Sequence, residues 1–171
     1  MDFVLVPIRY QEFWIPLYVF ILVFLIFNIR KYRWFSIVFI LATIGTADVV
    51  SSRIIKPLIE RPRPCHKNSG MDNVILRVRC GVGYSFTSSH ATNHFATATI
   101  LFLVLGGGKK KKWLYLLFIW AGAISLAQVY VGVHYPVDIF CGSILGLSIG
   151  CLGFFLYEKY RTNYLDKKYQ L

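Results

Sequence analysis

Three short stretches of this sequence hold residue types suited to moving a phosphoryl group. Lys56 and Arg63 stand close together, with Pro64 following. Arg63 offers a planar fork of donors that matches phosphate oxygens, and Lys56 adds a mobile point charge. Thr87, Ser88, Ser89 and His90 open an apolar run, where hydroxyls and free backbone N–H groups converge on an anion. His134 lies just before Pro136, a residue suited to a first helical turn, and Asp138 falls in that turn. A carboxylate there can accept a bond from one imidazole nitrogen, fix the tautomer and leave the other nitrogen free to attack. His90 is a second imidazole, able to protonate a leaving oxygen. A nucleophile with its orienter, a separate acid and a cationic cradle are the parts of a phosphoryl-transfer site with no metal and no cofactor. Catalysis in such a site comes mostly from positioning and charge stabilisation.

These residues need elements to hold them. The chain has 171 residues, 56% of them hydrophobic, and a mean hydropathy of +0.55. The apolar residues come in blocks at 13–29, 34–55, 88–105, 113–131 and 136–157. A bilayer core about 30 Å thick takes roughly 20 apolar residues per helix. The pattern predicts an all-α, polytopic membrane bundle of about five transmembrane helices, forming a single domain over 1–171. Residues 1–12 read as an amino-terminal interfacial segment, with Phe3, Val4, Leu5 and Ile8 apolar and Asp2, Arg9 and Glu12 charged. Pro7 argues against a long straight helix there. Gly142, Gly146 and Gly150 recur at four-residue spacing, which lines one helix face and invites a close neighbour.

A net charge of +11 would suggest nucleic acid for a soluble domain, but the basic residues here flank the apolar blocks, and no nucleic-acid partner is expected. Arg30, Lys31 and Arg33, then Lys109 to Lys112, then Lys159, Arg161, Lys167 and Lys168 fall on one side of a five-span chain. That side is assigned to the cytoplasm, with the carboxyl terminus. The amino terminus and the three chemical clusters then lie outside. Arg9, Arg53, Lys56, Arg61, Arg63, Lys67, Arg77 and Arg79 also lie outside, and so dense a cationic patch calls for an anionic ligand. Cys65 and Cys80 share the outer loop. In an oxidising compartment they are expected to form a disulfide, which stabilises by roughly 3 kcal/mol in the chain-entropy treatment. Cys141 and Cys151 are read as packing residues.

Other polar residues in the apolar blocks are read more plainly. Asp48 and Arg53 are expected to pair with each other or with Arg61, with Asp48 structural or substrate-gating. Glu60 is expected to orient the loop arginines. His94 shares a helix face with His90, but lacks a third ligand nearby, so packing or a hydrogen bond to a neighbouring helix is expected rather than a metal.

The three clusters resemble the tripartite motif of the phosphatidic acid phosphatase type 2 superfamily, which reads K-x6-RP, PSGH and SR-x5-H-x3-D. Lys56, Arg63 and Pro64 match the first part, Ser88 and His90 the second, and His134 and Asp138 the third. The resemblance implies a helical membrane enzyme with His134 as the phosphorylated nucleophile, Asp138 as its partner and His90 as the acid. It implies phosphate binding by Lys56, Arg63 and the Ser88–Ser89 region. Four positions depart from the motif: Thr87 for proline, Ser89 for glycine, Ala127 for serine and Gln128 for arginine. Glutamine still donates hydrogen bonds to phosphate but brings no charge, and Arg61 is the candidate to compensate. The implied partners are a bilayer and a phosphorylated membrane lipid, at the periplasmic face of a bacterial inner membrane. Among lipid A 1-phosphate, undecaprenyl diphosphate, phosphatidylglycerol phosphate and phosphatidic acid, the loop cations Arg61, Lys67, Arg77 and Arg79 tilt the expectation toward lipid A. The rival class is a catalytically impaired protein that binds or transports an anionic lipid.

Overall fold

A computed structural model of the chain describes residues 1–71, 73–106 and 109–166, the side chains of Lys109 and Lys110 aside. Lys167 and Lys168, assigned above to the cytoplasmic cluster, lie outside the described residues. Every regular element among the described residues is helical. Helix α1, Asp2–Ile8, is short and carries Pro7 in its last turn. A 3-10 turn at Gln11–Trp14 leads into α2, Ile15–Asn28, with Pro16 in its first turn. Helix α3, Arg33–Val49, continues through π turns at Val50–Ile55 into α4, Lys56–Ile59, which ends where Glu60 adopts a left-handed conformation at φ +51°. Helices α5, Ser89–Val104, α6, Leu116–Tyr130, and α7, Pro136–Tyr160, complete the bundle.

The continuous helical stretches Gln11–Asn28, Arg33–Ile59, Lys111–Tyr130 and Pro136–Asp166 are long and apolar enough to cross a membrane. The remaining expected span, α5, has 16 residues, about 24 Å at 1.5 Å per residue. It packs against α3, α6 and α7 and buries Ala91, Ala96, Ala98, Ile100 and Leu101. Its length matters less than its enclosure, because its neighbours rather than lipid surround it. The outer faces present Phe20, Val38, Leu41, Ile119, Phe140 and Phe155, apolar groups that a bilayer solvates.

The four-residue glycine spacing is the seam between α5 and α7. A Cβ on Gly142 would lie 2.8 Å from the Ser88 carbonyl oxygen, and one on Gly150 would lie 2.6 Å from Thr99 Cβ. At Gly146 it would overlap the Thr92 carbonyl oxygen. The two backbones therefore meet almost directly, and this brings the first turn of α5 against the first turn of α7.

Above the bundle, the outer loop is closed by a Cys65–Cys80 disulfide with Cα atoms 5.9 Å apart. The loop crosses the α6–α7 turn, where Ile75 O sits 3.0 Å from the Cβ that Gly132, at φ +82°, does not have. Asp2 ties α1 to this layer by accepting from Arg77 Nε at 2.9 Å and from the Tyr130 hydroxyl at 2.6 Å. Two sequence expectations are corrected here. Glu60 accepts from the Tyr84 hydroxyl at 2.9 Å and does not orient an arginine. Asp48 accepts from Asn93 Nδ2 at 2.8 Å, because α5 rather than the arginine-bearing loop faces it.

Candidate active site

His134 lies in the turn between α6 and α7 and is 3% exposed. Its Nδ1 is 3.4 Å from Asp138 Oδ2. A carboxylate has only acceptors, so Nδ1 carries the proton and Nε2 carries the lone pair. That lone pair faces Arg63 Nη1, which donates to it from 3.3 Å. Asp138 is fully buried and fully engaged. Its Oδ2 also accepts from the Tyr135 backbone N–H at 3.0 Å, and its Oδ1 from Arg61 Nη1 at 3.0 Å. Standing in the first turn of α7, the carboxylate also gains from the helix dipole. Burial, the largest influence, pushes the His134 pKa below its ordinary value, as do the Arg63 and Lys56 charges, while the Asp138 bond opposes them.

The start of α5 forms the facing wall. Ser88 is its N-cap, accepting from Ala91 N–H at 3.4 Å, and its own N–H donates to the Asp138 carbonyl at 3.2 Å. The backbone N–H thus fastens α5 to α7, while the hydroxyl caps the first turn of α5 itself. Ser89 and Thr87 differ. Their hydroxyl oxygens are buried and have no partner among the described residues. Gln128 is 0% exposed, and neither its Nε2 nor its Oε1 has a partner among the described residues. Such orphaned polar atoms are rare in a finished interior and ask for a ligand or water.

His90 follows Ser89 on α5 and lies within electrostatic range of His134, Lys56 and Arg9. The His94 ring lies parallel to it, centroids 6.3 Å apart. His94 Nδ1 donates to the His90 carbonyl at 2.7 Å, and Nε2 accepts from the Tyr18 hydroxyl at 3.2 Å. As expected for packing, His94 also meets Trp120 edge to face at 4.8 Å. Lys56 stands at the end of the π turns, near Arg63 and Asp138. A π turn shifts helical register, and such turns recur at functional sites.

Arg63 is fixed by Nε donating to the Gly83 carbonyl at 3.2 Å and Nη1 to the Val133 carbonyl at 3.3 Å. Its pKa is lowered, first by burial and then by the charge of Arg9. Arg9 is the residue that sequence reasoning passed over. It follows the short α1, and its Nε is buried without a partner among the described residues. No periodicity or motif marked it, and only its charge on the outer side was visible. The part foreseen for Arg61 is corrected by its contacts. It holds Asp138, and its guanidinium lies 3.9 Å from the Tyr135 ring centroid. Arg77 is likewise held, by Asp2 and by the Tyr130 carbonyl at 3.1 Å.

His134 and Asp138, with Arg61, Arg63 and the α5 N-cap Ser88, therefore meet at one end of the bundle. Spanning helices and this polar end define an integral membrane protein, and residues 33–162 match the PAP2 superfamily. The chain belongs to that superfamily. It is 33% identical over 150 residues to a lipid A 4'-phosphatase of Bacteroides thetaiotaomicron, covering 85% of this chain and 65% of the relative. It is 27% identical over 128 residues to a lipid A 4'-phosphatase of Porphyromonas gingivalis, covering 74% and 52%. The chain thus spans less than two thirds of the length of either relative. Aquifex aeolicus LpxE superimposes with a TM-score of 0.68 at 26% identity, over 89% of this chain and 84% of that one. A phosphatidylglycerolphosphate phosphatase of Bacillus subtilis shares the fold, with a TM-score of 0.68 at 24% identity over 95% and 77%.

Proposed function

We propose that this chain is a membrane phosphatase that removes phosphate from a lipid headgroup through a phosphohistidine at His134. The observation that carries this reading is the His134 lone pair, locked by Asp138 and aimed into a cationic space. His134 Nε2 attacks phosphorus, the ester P–O bond breaks, and His90 gives its proton to the departing oxygen. His90, now neutral, takes a proton from water, whose oxygen attacks the phosphoimidazole. The P–N bond breaks, and inorganic phosphate leaves with His134 restored. Lys56, Arg63, Ser89 and Gln128 bind the phosphate, while Ser88 holds α5 and α7 in register. Arg9 adds the charge that Gln128 does not bring.

The name shared by the two relatives supports a lipid A phosphate as substrate, at the 4' position rather than at position 1. The lysine and arginine flanks support an active site and amino terminus on the periplasmic face of a bacterial inner membrane, with the carboxyl terminus in the cytoplasm. The neutral Gln128 favours one second reading, an anionic-lipid binding or transport protein with impaired catalysis. Trapping labelled phosphate on the wild-type protein, with loss of the label in His134→Ala, separates the two. An unlabelled wild-type protein that still releases phosphate rejects the covalent route. Mass analysis of the lipid A product assigns the position.

A further inference from the structure

Below the catalytic end, α2 stands away from α3 and α5 and leaves a groove of about 320 Å³. Leu25, Ile40, Ile44 and Leu101 wall it, with Asn93 and His94 at its upper end. Leu101, Thr97, Asn93, His94 and His90 recur every three or four residues along α5, so one helix face leads from the groove to the site. His94 ends the groove on one side and stacks on His90 on the other. The groove thus ends one helical turn short of His90, on the α5 face that carries it.

One feature of the upper end does not suit a plain hydrocarbon. Asp48, on α3 one turn beyond Ile44, is exposed within a membrane-spanning stretch. An ionisable group at such a place is costly and usually functional. Its Oδ1 accepts from Asn93 Nδ2 at 2.8 Å. Its Oδ2 accepts from nothing among the described residues. Asn93 Oδ1 is buried and has no partner either. The hydrogen-bonding capacity left open on these two oxygens is all acceptor, so its complement is a donor. Asn93 is three residues from His90, about 4.5 Å along the α5 axis, so a donor read there would lie near the headgroup end of a bound lipid.

We propose that the groove takes a chain of the substrate lipid, and that Asp48 and Asn93 read a neutral hydrogen-bond donor, a hydroxyl or amide N–H, carried on that chain beside the phosphate. The inference rests on the lipid phosphatase reading for its substrate but is tested by binding.

Ceramide 1-phosphate and phosphatidic acid of matched chain length are both two-chain phosphate monoesters. Only the first carries an amide N–H and a hydroxyl next to the phosphate. Native mass spectrometry of the full chain in detergent should show roughly tenfold tighter binding of ceramide 1-phosphate, the size of one hydrogen bond to a charged acceptor. In Asn93→Leu and Asp48→Leu the preference should fall below about twofold. An N-methylated analogue, which keeps the hydroxyl, and a 3-deoxy analogue, which keeps the N–H, tell which donor is read. Equal binding of the two lipids by the wild-type protein overturns the inference whether or not the variants fold. Phosphate release measured beside it keeps the two ideas apart: release without preference rejects the reader alone, and preference without release rejects the phosphatase alone.

Discussion

The two walls of the site use their polar groups differently. On the α7 wall every group is taken. Asp138 accepts from His134, Tyr135 and Arg61, and Arg61 lies against Tyr135. On the α5 and α6 wall the hydroxyls of Thr87 and Ser89 and both ends of the Gln128 amide are buried and unpartnered. A finished network rigidifies what it holds, and an unfinished one of the same burial is unfavourable until something completes it. On the proposed mechanism the first wall aims an imidazole, and the second receives an anion. Ser88 belongs to the first wall although its neighbours belong to the second, because its N–H donates to the Asp138 carbonyl and so joins α5 to α7.

This division has consequences of different size. His134→Ala should lower phosphate release by about four orders of magnitude or more, since nothing else in the site is placed as nucleophile. A loss of less than about tenfold would remove the aiming role of the first wall. Asp138→Asn should reduce turnover by about a thousandfold. An amide no longer holds the proton on Nδ1, and Arg61 loses its counter-charge. Near-normal turnover in that variant would mean that the tautomer is set elsewhere.

In both walls the individual residues were legible in the sequence, and the pairings between distant elements were not. His134 and Asp138 are four residues apart across a helix start, so local geometry decides whether they meet. The glycine spacing at Gly142, Gly146 and Gly150 likewise reports one face of one helix. Asp138 and Arg61, by contrast, are 77 residues apart, and Asp48 and Asn93 are 45 apart. Only packing of separate helices creates those pairs. Asp48 offered two nearer arginines as partners, and charge alone favoured them. Arg9 follows a seven-residue helix too short to show a pattern, and its approach to Arg63 depends on α1 being tied down through Asp2. Burial of Gln128 followed from its place on α6, but the lack of any partner for it could not be read from one chain position.

The receiving wall should respond less sharply, because several donors share one anion. Ser89→Ala and Gln128→Ala should each reduce kcat/KM by roughly 10- to 100-fold, below the roughly 100- to 1,000-fold seen when a sole oxyanion donor is removed. Arg9→Gln should reduce it about tenfold, chiefly through KM, as expected for a charge that binds phosphate in ground and transition states alike. Gln128→Arg introduced into that variant should recover most of the loss. Failure to recover, with the double variant folded, would separate Arg9 from the phosphate. The seam that joins the two walls can be tested without activity. Gly146→Leu places a side chain where Thr92 O already stands, and should lower stability by about 1–3 kcal/mol, read as a lower Tm in detergent.

The smallest effect concerns pH and bears on both walls at once. His134 must be neutral to attack, so kcat/KM falls as pH drops through its pKa in the free enzyme. Burial, with Arg63 and Lys56 in support, holds that pKa below the ordinary 6.5. The acid limb of the profile should therefore lie below that value. Removing a nearby cation makes the imidazolium easier to form, which raises the pKa. In Lys56→Met the acid limb should move to higher pH, while the overall rate falls because a phosphate ligand is gone. The two readouts are separable, since the limb reports the unliganded site and the rate reports the anion. If the limb stays fixed in Lys56→Met, the lysine acts on the phosphate alone, and the two walls are electrostatically independent.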